Sequence, residues 1–258
     1  MCLILFAWRA HPVHLLVVAA NRDEYFERPS SAAAFWDDAP EVLAGRDLTA
    51  QGTWLGVTRA GRFASITNYR NPAERMATAP SRGRLVTDFL TQGDRPSAYF
   101  AGVAPRAQEY NGFSMLAADG RSLAFFSNKE GVVRGVQSGV HGLSNHLLDT
   151  PWPKVESGKE RLGALLDGPF DPEAYLQLLG DTEPAHDPHL PDTGVGIEWE
   201  RRLSSIRIAG GHYGTRCSTL VRIGTDGKAE FWERSYDREG GVNGTVRYNF
   251  TVPAPASA

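Results

Sequence analysis

The second residue of the chain, Cys2, has a type and position that suit nucleophilic chemistry. If a methionine aminopeptidase removes Met1, Cys2 carries a free α-amine beside its thiol. An N-terminal amine can act as the base for its own side-chain nucleophile. Its unperturbed pKa, about 7.7–8.0, suits proton transfer near neutral pH. The position therefore indicates acyl transfer, and the alternative is a thiol packed as a small hydrophobic group in a core strand.

Acyl transfer also requires an activated thiol and donors for a developing oxyanion. An Asp could orient the α-ammonium, an Arg could lower the thiol pKa, and Asn amides could donate to the oxyanion. Each candidate also has a structural explanation: a turn residue, a loop cap, a surface charge, or a solvated ion pair of small energetic value. Residues of these types stand at predicted strand or loop ends: Arg22, Asp23, Asn68, Asn145 and Arg216.

Two further groups of residues could bind a ligand. His186, Asp187, His189 and Asp192 could contact a metal, but their Pro-rich segment lacks a zinc spacing, which favours a solvated loop. Three histidines near the candidate segments could contact substrate or haem iron, or be ordinary hydrogen-bonded side chains: His141, His146 and His212.

The elements that must position Cys2 begin with two apolar runs. Residues 2–9 and 13–20 are almost continuously apolar, which predicts a hairpin at the centre of a sheet covered on both faces. The second strand ends in the polar sequence Asn21-Arg22-Asp23-Glu24. We expect this end to lie close to Cys2.

The remaining pattern alternates groups of strands with groups of helices. Residues 27–40, 141–146 and 180–196 are predicted loops. The other predicted strands are 52–58, 63–67, 113–118, 123–128, 132–136, 214–223, 229–236 and 242–252. The predicted helices are 81–90, 96–110 with a break near Pro105, 152–166, and 172–179 with Asp171 as its N-cap. This order predicts two sheets with helices on their outer faces, in one domain over 1–258 with a frayed tail from about 253.

Composition limits the possible partners and the compartment. The 258 residues carry a net charge of −3, which gives no electrostatic footprint for nucleic acid. No apolar run approaches the ~20 residues that cross a bilayer. With two cysteines and no signal peptide, we expect free thiols and a cytoplasmic location. Oligomeric state is not predicted.

Several motifs together resemble one family. Met1-Cys2 before an apolar strand, followed by Asn21-Arg22-Asp23-Glu24, closely resembles the NRDE family. The same order continues with Thr53-Trp54-Leu55-Gly56, Asn68-Tyr69-Arg70, Gly142-Leu143-Ser144-Asn145 and Tyr213-Gly214-Thr215-Arg216. The resemblance runs to about Phe231 and so covers nearly the whole chain.

The NRDE family is similar to the cysteine N-terminal-nucleophile (Ntn) hydrolases, with penicillin V acylases and bile salt hydrolases. This resemblance implies an α+β fold, a four-layer αββα sandwich of two mainly antiparallel sheets. It implies Cys2 as nucleophile, Asp23 holding the α-amine, Asn68 and Asn145 around the oxyanion, and Arg216 near the thiol.

Arg22 departs from the acylase pattern, which has its early Arg a few residues before the Asp, where this chain has Ala19 and Ala20. Adjacent strand residues point to opposite faces. Arg22 and Asp23 can therefore serve one site only if a bend or bulge lies there.

Two functions are consistent with these residues. The first is an amidohydrolase that cleaves a small, non-peptide amide through an acyl-enzyme on Cys2 and requires no metal or organic cofactor. The alternative, implied by the resemblance, is a non-catalytic carrier of haem or of lipid or acyl-CoA. Catalysis needs the free amine of Cys2, whereas carriage does not.

Overall fold

Two antiparallel sheets dominate the computed structural model, which describes residues 2–254. Sheet A has the strand order β10-β1-β2-β11-β12-β13. Its strands are β1 (Cys2–His11), β2 (His14–Tyr25), β10 (Gly139–Leu143), β11 (Tyr213–Gly224), β12 (Lys228–Tyr236) and β13 (Val242–Thr251). Sheet B runs in chain order from β3 to β9. Its strands are β3 (Ser30–Trp36), β4 (Ala39–Asp47), β5 (Leu55–Thr58), β6 (Phe63–Asn68), β7 (Phe113–Ala118), β8 (Leu123–Ser127) and β9 (Val133–Gly135).

Helices cover the outer face of each sheet. On sheet B these are α1 (Gly83–Thr91) and α2 (Pro96–Val103), which a 3-10 helix (Ala104–Glu109) follows. On sheet A they are α3 (Pro153–Leu166) and α4 (Pro172–Leu179). Short 3-10 helices cover Pro72–Glu74 and Asp187–His189, and α5 (Ile197–Ser204) precedes β11. The layers confirm the predicted αββα sandwich.

Three apolar cores hold the layers together. Between the sheets, Ile4 and Phe6 pack with Leu116 and Phe125 from sheet B. The alternate residues of β1, such as Leu5, turn to the other face and pack on α3 and α4. Because β1 and β2 are buried on both faces, their sequences are continuously apolar. This placement fixes the start of β1, and therefore Cys2, at the end of an inner strand of sheet A.

Most predicted elements are confirmed, but residues 27–40 are not a loop. They form β3 and the start of β4, which pair with each other in a hairpin. The β3 sequence is mostly Ser and Ala, so its local pattern is weak, and pairing in the sheet decides its structure. Residues 141–146 are likewise partly strand, because Gly139–Leu143 pairs with β1.

The helix α5 was not predicted. It carries few apolar residues, and its buried positions are Glu200, Leu203 and Ser204. Because the buried face of α5 includes a charged residue, its sequence lacks the apolar residues at every third or fourth position that predict a helix.

In residues 2–254, no helix is long and apolar enough to cross a membrane.

Candidate functional site

Cys2 lies on the rim of a cleft of about 320 Å³ at one end of the sandwich. It is the first residue of β1 and pairs across the strands with Arg22 on β2. The opposite wall comes from sheet B and its connections, including Trp54, Asn68 and Arg82. Cys2 is partly exposed and free, as is required of a thiol that reacts with a ligand.

Competing effects act on the Cys2 thiol. Burial raises its pKa, and the Asp23 carboxylate acts in the same direction. The backbone N–H of Asp23 donates to the sulfur and, with the Arg22 guanidinium, favours the thiolate. Burial dominates, so the pKa of the thiol is raised and a base is needed to activate it near neutral pH.

Asp23 is 1% exposed. Its Oδ1 accepts a hydrogen bond from Thr215 Oγ1 at 2.7 Å, and its backbone oxygen accepts one from Tyr213 Oη at 3.2 Å. Burial raises the pKa of the carboxyl, while Lys154 and the Thr215 hydroxyl act to lower it. The carboxylate is thus a fixed acceptor close to Cys2.

A bulge lies where Arg22 and Asp23 meet the site, but it is in β11 rather than in β2. Asp23 pairs with Thr215 and Arg22 with Cys217, which leaves Arg216 as the extra residue. Arg22 and Asp23 both line the cleft around Cys2. They lie in the last part of β2, which continues to Tyr25, as the sequence predicts for the polar end of this strand.

The Arg22 guanidinium stacks over the ring of Trp54, with Cζ 4.3 Å from the ring centroid. The side chain is buried, and its Nη1 has no hydrogen-bond partner in the part of the chain that the structure describes. A buried donor without an acceptor is unusual and calls for a partner such as an ordered water, an ion or a ligand.

The two candidate asparagines occupy different positions. Asn68 ends β6 and lines the cleft. Asn145 is fully buried, and its Nδ2 donates to the backbone oxygen of Asn68 at 3.0 Å. Its own backbone oxygen accepts from Arg70 N at 2.8 Å. Asn145 therefore joins the ends of the two sheets and fixes Asn68, and its predicted oxyanion role stays a prediction.

Arg216 does not line the cleft. Its Nη1 donates to the backbone oxygens of Tyr25 at 3.0 Å and Arg28 at 2.9 Å, and its guanidinium stacks on Phe26. These contacts fix the turn after β2. The structure therefore does not bring the Arg216 side chain together with the other candidates around Cys2.

Sequence reasoning missed Lys154, Arg75 and Arg82. Lys154 lies on α3, is 2% exposed, and donates to the backbone oxygen of Leu203 at 2.8 Å. Nothing in its surroundings in the sequence indicates burial. Arg75 and Arg82 flank the segment that leads to α1, and only the folded chain brings them to the cleft.

The histidines named as haem ligands fit that role poorly. His141 bonds Asp149 Oδ2 and Gln137 O, and His146 bonds Tyr69 Oη and Thr150 Oγ1, so both ring nitrogens are used in each. His212 is exposed and contacts Glu27. Within residues 2–254, no cluster of three or more His, Cys, Asp or Glu could hold a metal, and Asp187 pairs with Arg201.

Comparison with known proteins identifies a family. The family model described as Transport and Golgi organisation 2 matches residues 1–238. The Transport and Golgi organization 2 homolog of Mus musculus is 34% identical and covers 98% of this chain and 99% of its own. The Bos taurus homolog is 37% identical, over 91% of this chain and 93% of its own.

A solved structure resembles this chain in its fold. A mutant conjugated bile acid hydrolase from Clostridium perfringens superposes with a TM-score of 0.51 over 96% of this chain and 92% of that chain. At 9% sequence identity, this similarity shows the fold alone. It agrees with the Ntn-hydrolase-like sandwich that the sequence predicts.

Proposed function

This chain belongs to the Transport and Golgi organisation 2 family, and from that premise we propose that it is a cysteine amidohydrolase acting on a small, non-peptide amide. The observation that carries the proposal is the position of Cys2. Its thiol lies on the rim of the cleft, next to the Asp23 N–H and across from Arg22. A carbonyl bound in this cleft would meet a nucleophile and hydrogen-bond donors together.

The proposed reaction begins once Met1 has been removed. The Cys2 sulfur attacks the amide carbonyl, and the α-amine of Cys2 takes the thiol proton. The Asn68 side chain lines the cleft and is the first candidate donor to the oxyanion. The tetrahedral intermediate collapses, the C–N bond breaks, and the α-ammonium returns the proton to the departing amine. Water then attacks the thioester, releasing the acid and restoring the thiol.

Asp23 has a positioning role in this scheme. Its carboxylate is buried and held by Thr215, so it offers a fixed acceptor to a neighbouring ammonium group. Asn145 acts one step further away, because it holds the strand end that carries Asn68. In this scheme Arg216 has no chemical step and holds the turn at residues 25–28.

The test is hydrolysis of a panel of fluorogenic amides by protein whose intact mass is known. We expect active protein to lack one methionine, and Cys2→Ala and Cys2→Ser to lose at least about 10³-fold in kcat/KM. Cys217→Ala is the matched control, because Cys217 is buried and does not line the cleft, so this variant should leave turnover intact. Activity that survives in Cys2→Ala, or in protein that retains Met1, would refute the proposal.

The same variants separate the competing hypothesis of a haem or acyl-CoA carrier. Ligand binding needs no α-amine, so a carrier would bind its ligand equally with Met1 present. Binding of haem or acyl-CoA without turnover of any amide would favour that hypothesis. A haem titration that leaves the Soret band unchanged would oppose haem carriage.

A further inference from the structure

We propose that the cleft beside Cys2 binds an anionic group, a carboxylate or a phosphate, carried by the substrate. That the anion is part of a substrate rests on the proposed hydrolase function, but the anion site itself does not. The inference comes from arginine side chains that line the cleft without carboxylate partners. Arginine is well suited to such groups because its planar fork donates two parallel hydrogen bonds to one anion.

Four arginines line the cleft, and one of them is neutralised. Arg28 donates from Nε and Nη2 to Asp47 Oδ2, at 2.8 and 2.6 Å. Arg82 is partly buried, and the one hydrogen bond of its side chain to a described residue runs from Nη1 to the backbone oxygen of Gly112, at 2.9 Å. Arg75 is exposed and forms no ion pair within residues 2–254. Arg75 and Arg82 thus bring positive charge that no described carboxylate pairs.

Arg22 is the fourth, and it is the most constrained. The side chain is 5% exposed, and Nη1 has no acceptor among the described residues. Burying a guanidinium donor without a partner costs free energy. An anionic ligand oxygen would satisfy that donor. Because Arg22 is the cross-strand neighbour of Cys2, this site adjoins the nucleophile.

The start of α1 adds to the positive potential. Ser81, Arg82 and Gly83 lie on the cleft wall, and the nine-residue helix begins at Gly83 with no side-chain cap. The Arg84 and Leu85 N–H groups already donate to Ser81 O and Arg82 O, at 3.2 and 3.0 Å, so this terminus contributes through the helix dipole, which favours anions. Close contact with the backbone at Gly52 and Thr53 fixes this terminus, because a Cβ at Gly83 would lie 2.9 Å from Thr53 O.

Three acidic residues of the cleft, Asp23, Glu24 and Asp47, oppose these charges. Asp47 is paired with Arg28, and Glu24 Oε1 accepts from the backbone N–H of Tyr25 at 2.9 Å. Four arginines against three carboxyl groups still leave an excess of positive charge in the cleft. Arg75, Arg82 and Asn68 also line an adjoining cavity of about 370 Å³. Arg75 and Arg82 therefore lie between the cleft next to Cys2 and an adjoining cavity that could hold the rest of a ligand.

Matched thiol reagents test the site without relying on turnover. N-iodoacetyl-β-alanine and N-iodoacetyl-β-alaninamide differ in one carboxylate. At Cys2 we divide the alkylation rate of the carboxylate reagent by that of the amide reagent. This ratio is then divided by the same ratio measured with glutathione, which gives a normalised ratio. At low ionic strength we expect the wild-type value to exceed ten, and to fall toward one in 0.5 M NaCl because salt screens the attraction.

Substitution identifies the groups responsible. Arg75→Gln and Arg82→Gln should each lower the normalised ratio at least threefold, and the double variant should bring it close to one. Arg84→Gln is the control, because Arg84 lies exposed on the same helix and does not line the cleft. A wild-type ratio near one, or a ratio that the double variant leaves unchanged, would overturn the proposal. Protection of Cys2 by inorganic phosphate or by glutarate distinguishes the two anions.

Turnover gives the second measurement. Coumarin amides of glutaric acid and of glutaric monoamide should differ at least tenfold in kcat/KM in favour of the carboxylate. If neither is cleaved while the alkylation ratio is high, the anion site stands and the hydrolase proposal falls. If both are cleaved equally and the alkylation ratio is near one, the hydrolase stands and the anion site falls.

Discussion

Four ionisable side chains lie buried and close together near Cys2: Asp23, Arg70, Lys154 and Glu200. Two of them are basic and two are acidic, and both basic groups act to lower the pKa of Asp23. Burial acts the other way and is the larger effect, so the pKa of the Asp23 carboxyl is raised. Burial also lowers the pKa of Lys154 to about 8, an effect that the nearby Asp23 side chain opposes.

Lys154→Met should change how stability depends on pH. The pKa of Lys154 is lowered on folding, so between about pH 8 and 10.5 the unfolded chain binds a proton that the folded chain does not. The contribution of this group to stability therefore rises with pH across that window, by up to about 3 kcal/mol. Between pH 7.5 and 10.5, the free energy of unfolding of the wild type, measured with urea, should rise by this amount relative to that of Lys154→Met.

Lys228→Met provides the comparison, because its amine is exposed at the β11–β12 turn. Its stability difference from wild type should stay constant over the same pH range. An equally flat difference for Lys154→Met would mean that Lys154 is not desolvated in the folded state.

Among the elements, α5 is attached by a buried ion pair as well as by apolar packing of Leu203. Glu200 faces inward from α5 and pairs with Arg70 at the end of β6, at 2.5 Å, with both side chains almost fully buried. Glu200 Oε1 also accepts from the backbone N and the hydroxyl of Thr193. One buried pair thus links α5 and the preceding segment to the strand that carries Asn68.

Arg70→Met should destabilise the protein by about 3–5 kcal/mol, because it leaves the Glu200 carboxylate buried without its cation. Equilibrium urea unfolding measures this loss. Adding Glu200→Gln should restore more than half of it, because Gln removes the charge and keeps the acceptor for Thr193. If the double variant is as unstable as Arg70→Met, packing of Arg70 on Trp152 matters more than the charge.

At the scale of the whole molecule, the two sheets share one apolar core. Residues of β1, β2, β11 and β12 pack directly on residues of β5 to β8, and the described chain offers no linker between them. Neither sheet can separate without exposing this surface to water, at about 25 cal/mol per Å² of apolar area.

Thermal unfolding should therefore be one cooperative transition. Calorimetry should give a calorimetric enthalpy equal to the van't Hoff enthalpy, and tryptophan fluorescence and far-UV circular dichroism should change together. Two resolved transitions would contradict the prediction of a single domain. The control is a repeat scan at a second heating rate, which shows whether unfolding is reversible.

The sequence alone determined the strands around Cys2 and the layered class of the fold. The apolar runs of β1 and β2 are long and unbroken because both faces are buried, so this signal is local and strong. The N-cap Asp171 was predictable because capping is also local and depends on residues a few positions away. Its side chain accepts from Glu173 N.

The tertiary structure decided which of these residues meet. The bulge at Arg216 depends on the register between strands almost 200 residues apart, and the Arg216 side chain bonds the backbone of Tyr25 and Arg28 rather than lining the cleft. Arg82 reaches the cleft because α1 packs on sheet B, and Lys154 is buried because α3 packs on sheet A. Such positions depend on long-range packing, and no local pattern in the sequence records them.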